Sequence, residues 1–243
     1  MYLSVIIPAY NEEKRIDKTL RGVHSHLSKQ KYSYEIIVVD DGSKDGTTKV
    51  VTALSIPGLR LIHYEKNWGK GYAVKKGMLE AKGDYRLFMD ADNSTAIEHI
   101  DSFLPYFLKG ADIVIGSRRV AGAHISLKQS AIREFLGSIF RLSTKIIIPL
   151  QIKDSQNGFK AFSAKAAELL FSKETIFGLA FDIEILALAR KYGMKIEEVP
   201  IEWKNDDQSR LSGGKMLKAV GEVCKIRYQL WAGTYGNFPA IHK

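Results

Sequence analysis

Residues 3–10 (LSVIIPAY) and 34–43 (YEIIVVDDGS) each carry a β-branched apolar run that stops abruptly on polar or turn residues, the mark of a short strand. Between them Ile16, Leu20, Val23 and Leu27 recur at helical spacing, so residues 12–29 are predicted to form a helix. Continuous apolar strands joined by amphipathic helices predict a parallel sheet covered on both faces. The alternation continues with a helix over 45–54, a strand over 59–64, a helix over 69–82, a strand over 85–90, a helix over 96–108 and a strand over 111–117. After that the pattern loosens. Residues 126–148 mix basic positions (Lys128, Arg133, Arg141, Lys145) with apolar ones (Phe135, Leu136, Ile139, Phe140, Ile146) and predict one or two amphipathic helices. Residues 154–163 read as a polar loop running into a short strand, 164–172 and 181–192 as helices, and 196–203 as a strand. A final amphipathic helix over 214–231 carries Lys215, Lys218, Lys225 and Arg227.

With 243 residues, 45% of them hydrophobic, the chain has material for one sizeable core. No linker, repeat or low-complexity tract divides it. The expected organisation is a compact domain over 1–212 and a C-terminal amphipathic extension over 213–243. The one cysteine, Cys224, excludes an intramolecular disulfide and is read as a small semi-buried thiol. The formal net charge of +9 suits nucleic acid, an anionic membrane surface or phosphorylated substrates, and its even spread does not choose among them. No apolar run approaches the roughly 18 residues of a membrane span. The opening residues lack the basic region and cleavage site of a signal peptide, so a cytoplasmic location is expected.

In open α/β sheets ligands gather at the carboxyl ends of the strands. That places PAYNEE (8–13), DDGSKDGT (40–47) and DADNS (90–94) along one edge. The missing G-x-G-x-x-G after the first strand disfavours a dinucleotide dehydrogenase. The stretch RLFMDADNS ends a buried strand on two carboxylates, Asp90 and Asp92. Left alone they repel. A divalent cation resolves this, because Mg2+ or Mn2+ takes one or two carboxylates together with phosphate oxygens. The alternative is a solvated turn in which an Asp caps the following helix, whereas Asn93 or Ser94 as the cap would leave both aspartates free.

Taken in order, P-x-Y-N-E, V-D-D-G-S and D-x-D resemble the family 2 glycosyltransferases. The resemblance implies a GT-A fold, a Rossmann-like α/β architecture with a mostly parallel sheet, helices on both faces and here C-terminal amphipathic helices. GSRR (116–119), DSQNGFKAF (154–162), AFDIEIL (180–186) and EVPIEW (198–203) are similar to the polyprenyl-phosphate hexosyltransferase branch. Within it the dolichyl-phosphate β-glucosyltransferases look closest and the mannosyltransferases next. The likeness covers roughly residues 1–212.

The resemblance implies that Pro8, Tyr10, Glu12, Val39 and Asp41 bind the nucleoside. Physically, Pro8 ends a strand, Tyr10 offers a stacking face and Asp41 can accept from a base N–H or a ribose hydroxyl. Asp40 is either a second such acceptor or a cap for a turn that Gly42 permits. Lys70, at a helix start, either approaches the diphosphate or is solvated. Asp90, Ala91 and Asp92 match the metal and diphosphate motif, with Asp92 as the direct ligand. Ser94 stands where mannosyl relatives often carry a Gln. Arg118 is assigned to the donor diphosphate or the acceptor phosphate, against a plain surface role. Arg133 and Arg210 are assigned to the acceptor phosphate, and Asp154 and Gln156 to the sugar hydroxyls or the diphosphate. Asp182 and Glu184 either meet substrate or place charge at a helix N-terminus.

The implied reaction is inverting hexose transfer from a nucleotide sugar, UDP-glucose favoured over GDP-mannose, to polyprenyl phosphate at a membrane surface. Mg2+ or Mn2+ is the implied cofactor. The enzyme would be peripheral at the cytoplasmic face, with the basic helices at 126–148 and 214–231 either interfacial or simply packed on the core. A glycan or small-molecule acceptor is the second enzymatic reading, with Asp154 or Asp182 as its base. A non-catalytic nucleotide-sugar sensor or nucleic-acid dock is a third, and no clear interleaving of aromatics with basic residues supports nucleic acid.

Overall fold

A computed structural model describes residues 2–127, 131–204 and 213–236. Seven strands form the main sheet in the order β3-β2-β1-β4-β7-β5-β8. They are β1 (Tyr2–Ala9), β2 (Ser33–Asp41), β3 (Leu59–Tyr64), β4 (Tyr85–Met89), β5 (Ile113–Ser117), β7 (Phe159–Ser163) and β8 (Ile196–Pro200). All run parallel except β7, which lies antiparallel between β4 and β5. A separate two-stranded sheet pairs β6 (His124–Leu127) with β9 (Glu202–Lys204).

The apolar runs are continuous because both faces of the sheet are covered. Leu3, Val5 and Ile7 of β1 pack with Ile36 and Val38 of β2 on one face, whereas Ile6, Ile37 and Val39 face the other. That is the two-residue period of a strand buried on both sides. The first face is covered by α1 (Ile16–Leu27), α2 (Thr47–Thr52) and α4 (Ile100–Leu108). Ile16, Leu20, Val23 and Leu27 are the apolar residues that α1 buries, each contributing on the order of 1.5–3 kcal/mol. The second face is covered by α3 (Lys70–Glu80), α6 (Ala164–Lys173) and α7 (Phe181–Lys191), with α5 (Ala131–Ile147) and α8 (Gly213–Trp231) packed beyond them.

Four local expectations change. The 196–203 strand is two strands, because Pro200 has no N–H to continue the ladder and Ile201 N–H turns back to the Ser117 carbonyl at 3.3 Å. Residues 126–127 belong to β6 rather than to a helix, and one helix, α5, follows. Neither the two aspartates nor Asn93 or Ser94 caps the helix after β4: it begins as a 3-10 turn at Ile97–His99 behind Ala96, with no side-chain cap. Cys224 is exposed on α8, not semi-buried, because that helix turns Ala219, Val223 and Ile226 into the core instead. Among the described residues no helix is long and apolar enough to cross a membrane.

Candidate active site

The carboxyl ends of β1, β2 and β4 open onto one cavity of about 800 Å³, walled by Tyr10, Asn11, Asp41, Lys70, Asp90 and Asp92 among others. The loops after β1 and β2 are laced together. Asn11, held in the left-handed region at φ 57°, accepts from Lys44 N–H at 2.8 Å and donates its own N–H to Ser43 Oγ at 2.9 Å. Glu12 N–H donates to Thr47 Oγ1 at 2.8 Å. Tyr10 stands at the rim, 45% exposed, with its ring free to stack. Pro8 lies past the last β1–β4 pair, Ile6↔Phe88, and lines the cavity floor. The Glu12 carboxylate is held by Arg15 at 2.6 Å.

Asp40 is the turn residue. Its Oδ1 accepts Ser43 N–H at 2.9 Å, its Oδ2 meets the Thr48 hydroxyl, and Gly42 takes φ 72°. Asp41 is buried and accepts Trp68 N–H and Gly69 N–H at 2.8 Å each, which fixes the start of α3. Burial raises its pKa against those two hydrogen bonds. The Val39 side chain is fully buried in the core layer beneath the cavity, where it packs with Ile6 and Ile37.

Asp90 and Asp92 follow β4 directly. Lys70, the first residue of α3, reaches Asp90 Oδ1 at 2.5 Å. Burial pulls the lysine's pKa down, but Asp90 and Asp182 outweigh it and the net shift is upward. Asp92 Oδ1 accepts Ser94 N–H at 2.9 Å. Burial and then the Asp90 charge push the Asp92 pKa up, so the repulsion within the pair is only partly relieved by Lys70 and Ser94. This donor set fits a divalent cation. Among the described residues no group of three or more His, Cys, Asp or Glu could hold a metal unaided, so the remaining ligands would be phosphate oxygens and water.

The antiparallel β7 brings a further layer to the same edge. Asp90 N–H donates to Gly158 O at 3.1 Å, and a Cβ on Gly158 would overlap the Asp90 carboxylate. Just behind, Lys160 Nζ donates to Asp182 Oδ1 at 2.6 Å and to the Asn157 carbonyl. Burial moves both pKa values toward neutrality, Lys160 down and Asp182 up. Sequence reasoning assigned no role to Gly158 or Lys160, although both stand in the loop and strand quoted for the resemblance.

The structure separates other candidates from the cavity wall. Arg118 is committed to Asp154, which accepts from its Nε at 2.7 Å, its second guanidinium nitrogen at 2.8 Å and its backbone N–H at 2.9 Å. Burial would raise the Asp154 pKa, but Arg118 more than offsets it and holds the carboxyl below its ordinary range. Gln156 is half-buried in the same loop. Glu184 is also structural, its carboxylate accepting Thr175 N–H and Ile176 N–H at 3.0 and 2.8 Å and the Tyr235 hydroxyl at 2.7 Å. Arg133 lies in α5, but its side chain falls outside the described residues, as does all of Arg210.

A mostly parallel sheet whose strand ends present a cavity and an Asp-x-Asp pair defines a glycosyltransferase of the GT-A fold. The chain belongs to glycosyl transferase family 2, whose profile matches residues 4–171. It is 36% identical to the dolichyl-phosphate beta-glucosyltransferase of Saccharomyces cerevisiae over 97% of this chain and 77% of that protein. It is 32% identical to that of Homo sapiens over 86% and 69%. Among solved structures, glucosyl-3-phosphoglycerate synthase from Mycobacterium tuberculosis with Mn2+, UDP-glucose and phosphoglyceric acid aligns with TM-score 0.68 at 20% identity, over 93% of this chain and 79% of that one. Mannosyl-3-phosphoglycerate synthase from Rubrobacter xylanophilus aligns with TM-score 0.68 at 18% identity, over 100% and 78%. These two likenesses carry the fold.

Proposed function

We propose that this chain transfers glucose from UDP-glucose to a polyprenyl phosphate of the dolichyl type, inverting the anomeric centre to give a β-linked sugar. The observation that carries the acceptor assignment is the state of the two carboxylates a neutral acceptor would need. Asp154 is locked in its pair with Arg118 and Asp182 in its buried pair with Lys160, so neither is a free base. A phosphate monoester is already an anionic nucleophile at neutral pH and needs no strong base. The names of the curated relatives agree with that choice.

In this reading Tyr10 stacks on the base and Asp41 orients the nucleoside. Asp90 and Asp92 hold Mg2+ or Mn2+, which when bound neutralises charge on the departing diphosphate. Lys70 and the N-terminus of α3 face the same phosphates. The residues thus position donor and acceptor and stabilise charge, which are the terms such a displacement depends on. Arg133 and Arg210 are the sequence's candidates for the acceptor phosphate.

Residues 1–212 are assigned to catalysis and 213–243 to a membrane-facing extension at the cytoplasmic face. Ile139, Leu142 and Ile146 are exposed on α5, and Leu217, Tyr228 and Trp231 on α8. Lys145, Lys218 and Lys225 are exposed beside them. Apolar side chains flanked by lysines suit an anionic bilayer surface.

The test is a donor screen of UDP-glucose and GDP-mannose against a short polyprenyl phosphate, with EDTA as control. A glucolipid formed from UDP-glucose and lost with EDTA is the expected outcome. Equal transfer to a glycan without any lipid phosphate would sink the acceptor assignment.

A further inference from the structure

Three cations cluster here: Lys70 and Arg118 within electrostatic reach of Asp90, and Lys160 within reach of Lys70. Two of them are committed elsewhere. Lys160 is 1% exposed and bound to Asp182 at 2.6 Å. Arg118 is held by three hydrogen bonds to Asp154. Lys70 differs. Its side chain is 34% exposed on the cavity wall, and it holds Asp90 at 2.5 Å.

Asp90 has little freedom of its own. Its N–H is tied to the Gly158 carbonyl, and its carboxylate lies against the Gly158 Cα. Any cation that binds it must therefore come from the cavity side, the side Lys70 occupies. An ion shared by Asp90 and Asp92 would face the Lys70 ammonium at close range, and like charges at such distances are costly in a half-buried site. The ion and the lysine cannot both keep Asp90 unless an anion joins them.

We propose that Lys70 is a built-in counter-cation for the acidic pair: it holds Asp90 while the ion is absent, opposes binding of a divalent ion alone, and transfers to the donor diphosphate when ion and nucleotide arrive together. The lysine needs only side-chain rotation, since it is the first residue of α3 and its ammonium already lies on the cavity wall. Such an exchange makes metal and nucleoside diphosphate bind with positive coupling, each strengthening the other by the same factor. The inference rests on the function proposed above for the use of a divalent ion and of a nucleoside-diphosphate donor.

The experiment is Mn2+ titration by electron paramagnetic resonance, with and without UDP, on the parent, Lys70→Met and Lys70→Arg. In the parent, UDP should tighten Mn2+ binding. Lys70→Met should bind Mn2+ alone at least about tenfold more tightly, the scale of removing one neighbouring like charge. The same variant should show weaker coupling to UDP. Lys70→Arg should stay close to the parent in the absence of nucleotide. If Lys70→Met binds Mn2+ alone no more tightly than the parent, weakly or not at all, the exchange is overturned. It is also overturned if the parent binds Mn2+ equally well with and without UDP, a result that does not depend on either variant folding. Loss of Mn2+ binding by the parent even with UDP would instead refute the metal-dependent reading of the whole site.

Discussion

The buried pair Lys160–Asp182 gives the sharpest quantitative test, because it separates structural from catalytic charge at one strand end. Lys160 is 1% exposed, its Nζ donates to Asp182 Oδ1 at 2.6 Å and to the Asn157 carbonyl, and it stands 5.2 Å from the centre of the Phe88 ring. Lys160→Met keeps the aliphatic stem and removes the charge. Asp182 is then buried without its nearest cation, and breaking such a pair from one side costs about 3–5 kcal/mol. For a protein of this size that is a fall of roughly 6–20 °C in Tm. The double variant Lys160→Met/Asp182→Asn should recover part of the loss, since no unpaired charge is left.

The pH dependence carries a sign. In Lys160→Met the penalty falls on ionised Asp182, whose pKa burial already raises in the intact protein. The variant therefore binds an extra proton when folded, and its stability deficit shrinks as pH falls toward the ordinary carboxylate range. Urea denaturation of the four-member cycle at pH 7 and at pH 5 is the assay. A loss under about 1 kcal/mol for Lys160→Met, or a double variant no better than the single, would refute the reasoning, because a pair that mattered could give neither result.

Three further outcomes follow from the same site. Asp92→Asn removes one of two repelling, partly buried carboxylates, so it should abolish transfer while leaving Tm unchanged or slightly raised without metal, as calorimetry and product analysis would show. Gly158→Ala forces a methyl group into the Asp90 carboxylate; it should cost about 1–3 kcal/mol in denaturation and weaken Mn2+–UDP binding by calorimetric titration. Glu174 is 3% exposed with both carboxylate oxygens unpartnered among the described residues, and burial followed by the Glu184 charge raises its pKa well above 4.5. A raised carboxyl binds its proton more tightly when folded, so it makes stability decline as pH rises above the unfolded value. Glu174→Gln should flatten that decline, and equal slopes for parent and variant between pH 5 and 8 would count against it.

The sequence yields most of the sheet because its strands are buried on both faces and helices such as α1 on one. Period and continuity report burial directly, which is why Ile16, Leu20, Val23 and Leu27 name the inner stripe of α1 correctly. The acidic pair is legible for the same reason: charge directly after the buried run Leu87, Phe88 and Met89 needs a compensating partner. A motif does not say which way a side chain points: β2 turns the Val39 side chain into the core. Asp154 and Arg118 lie 36 residues apart and find each other only through the fold.

One topological fact underlies most of what periodicity leaves out. Strand β7 enters antiparallel between β4 and β5, pairing Met89 with Phe159. That pairing sets the residues before β7 beside those after β4, so Gly158 meets Asp90, while Lys160 within β7 meets Asp182 at the start of α7. Apolar spacing tells which residues are inside and says nothing of strand order, so this neighbourhood has no local signature. Its physical consequence is a two-tier arrangement. The lower tier, Lys160–Asp182 and Arg118–Asp154, is neutralised internally and rigid. The upper tier, Lys70 with Asp90 and Asp92, holds one more negative than positive charge and faces the cavity, which is the imbalance that a divalent ion and a diphosphate together can resolve.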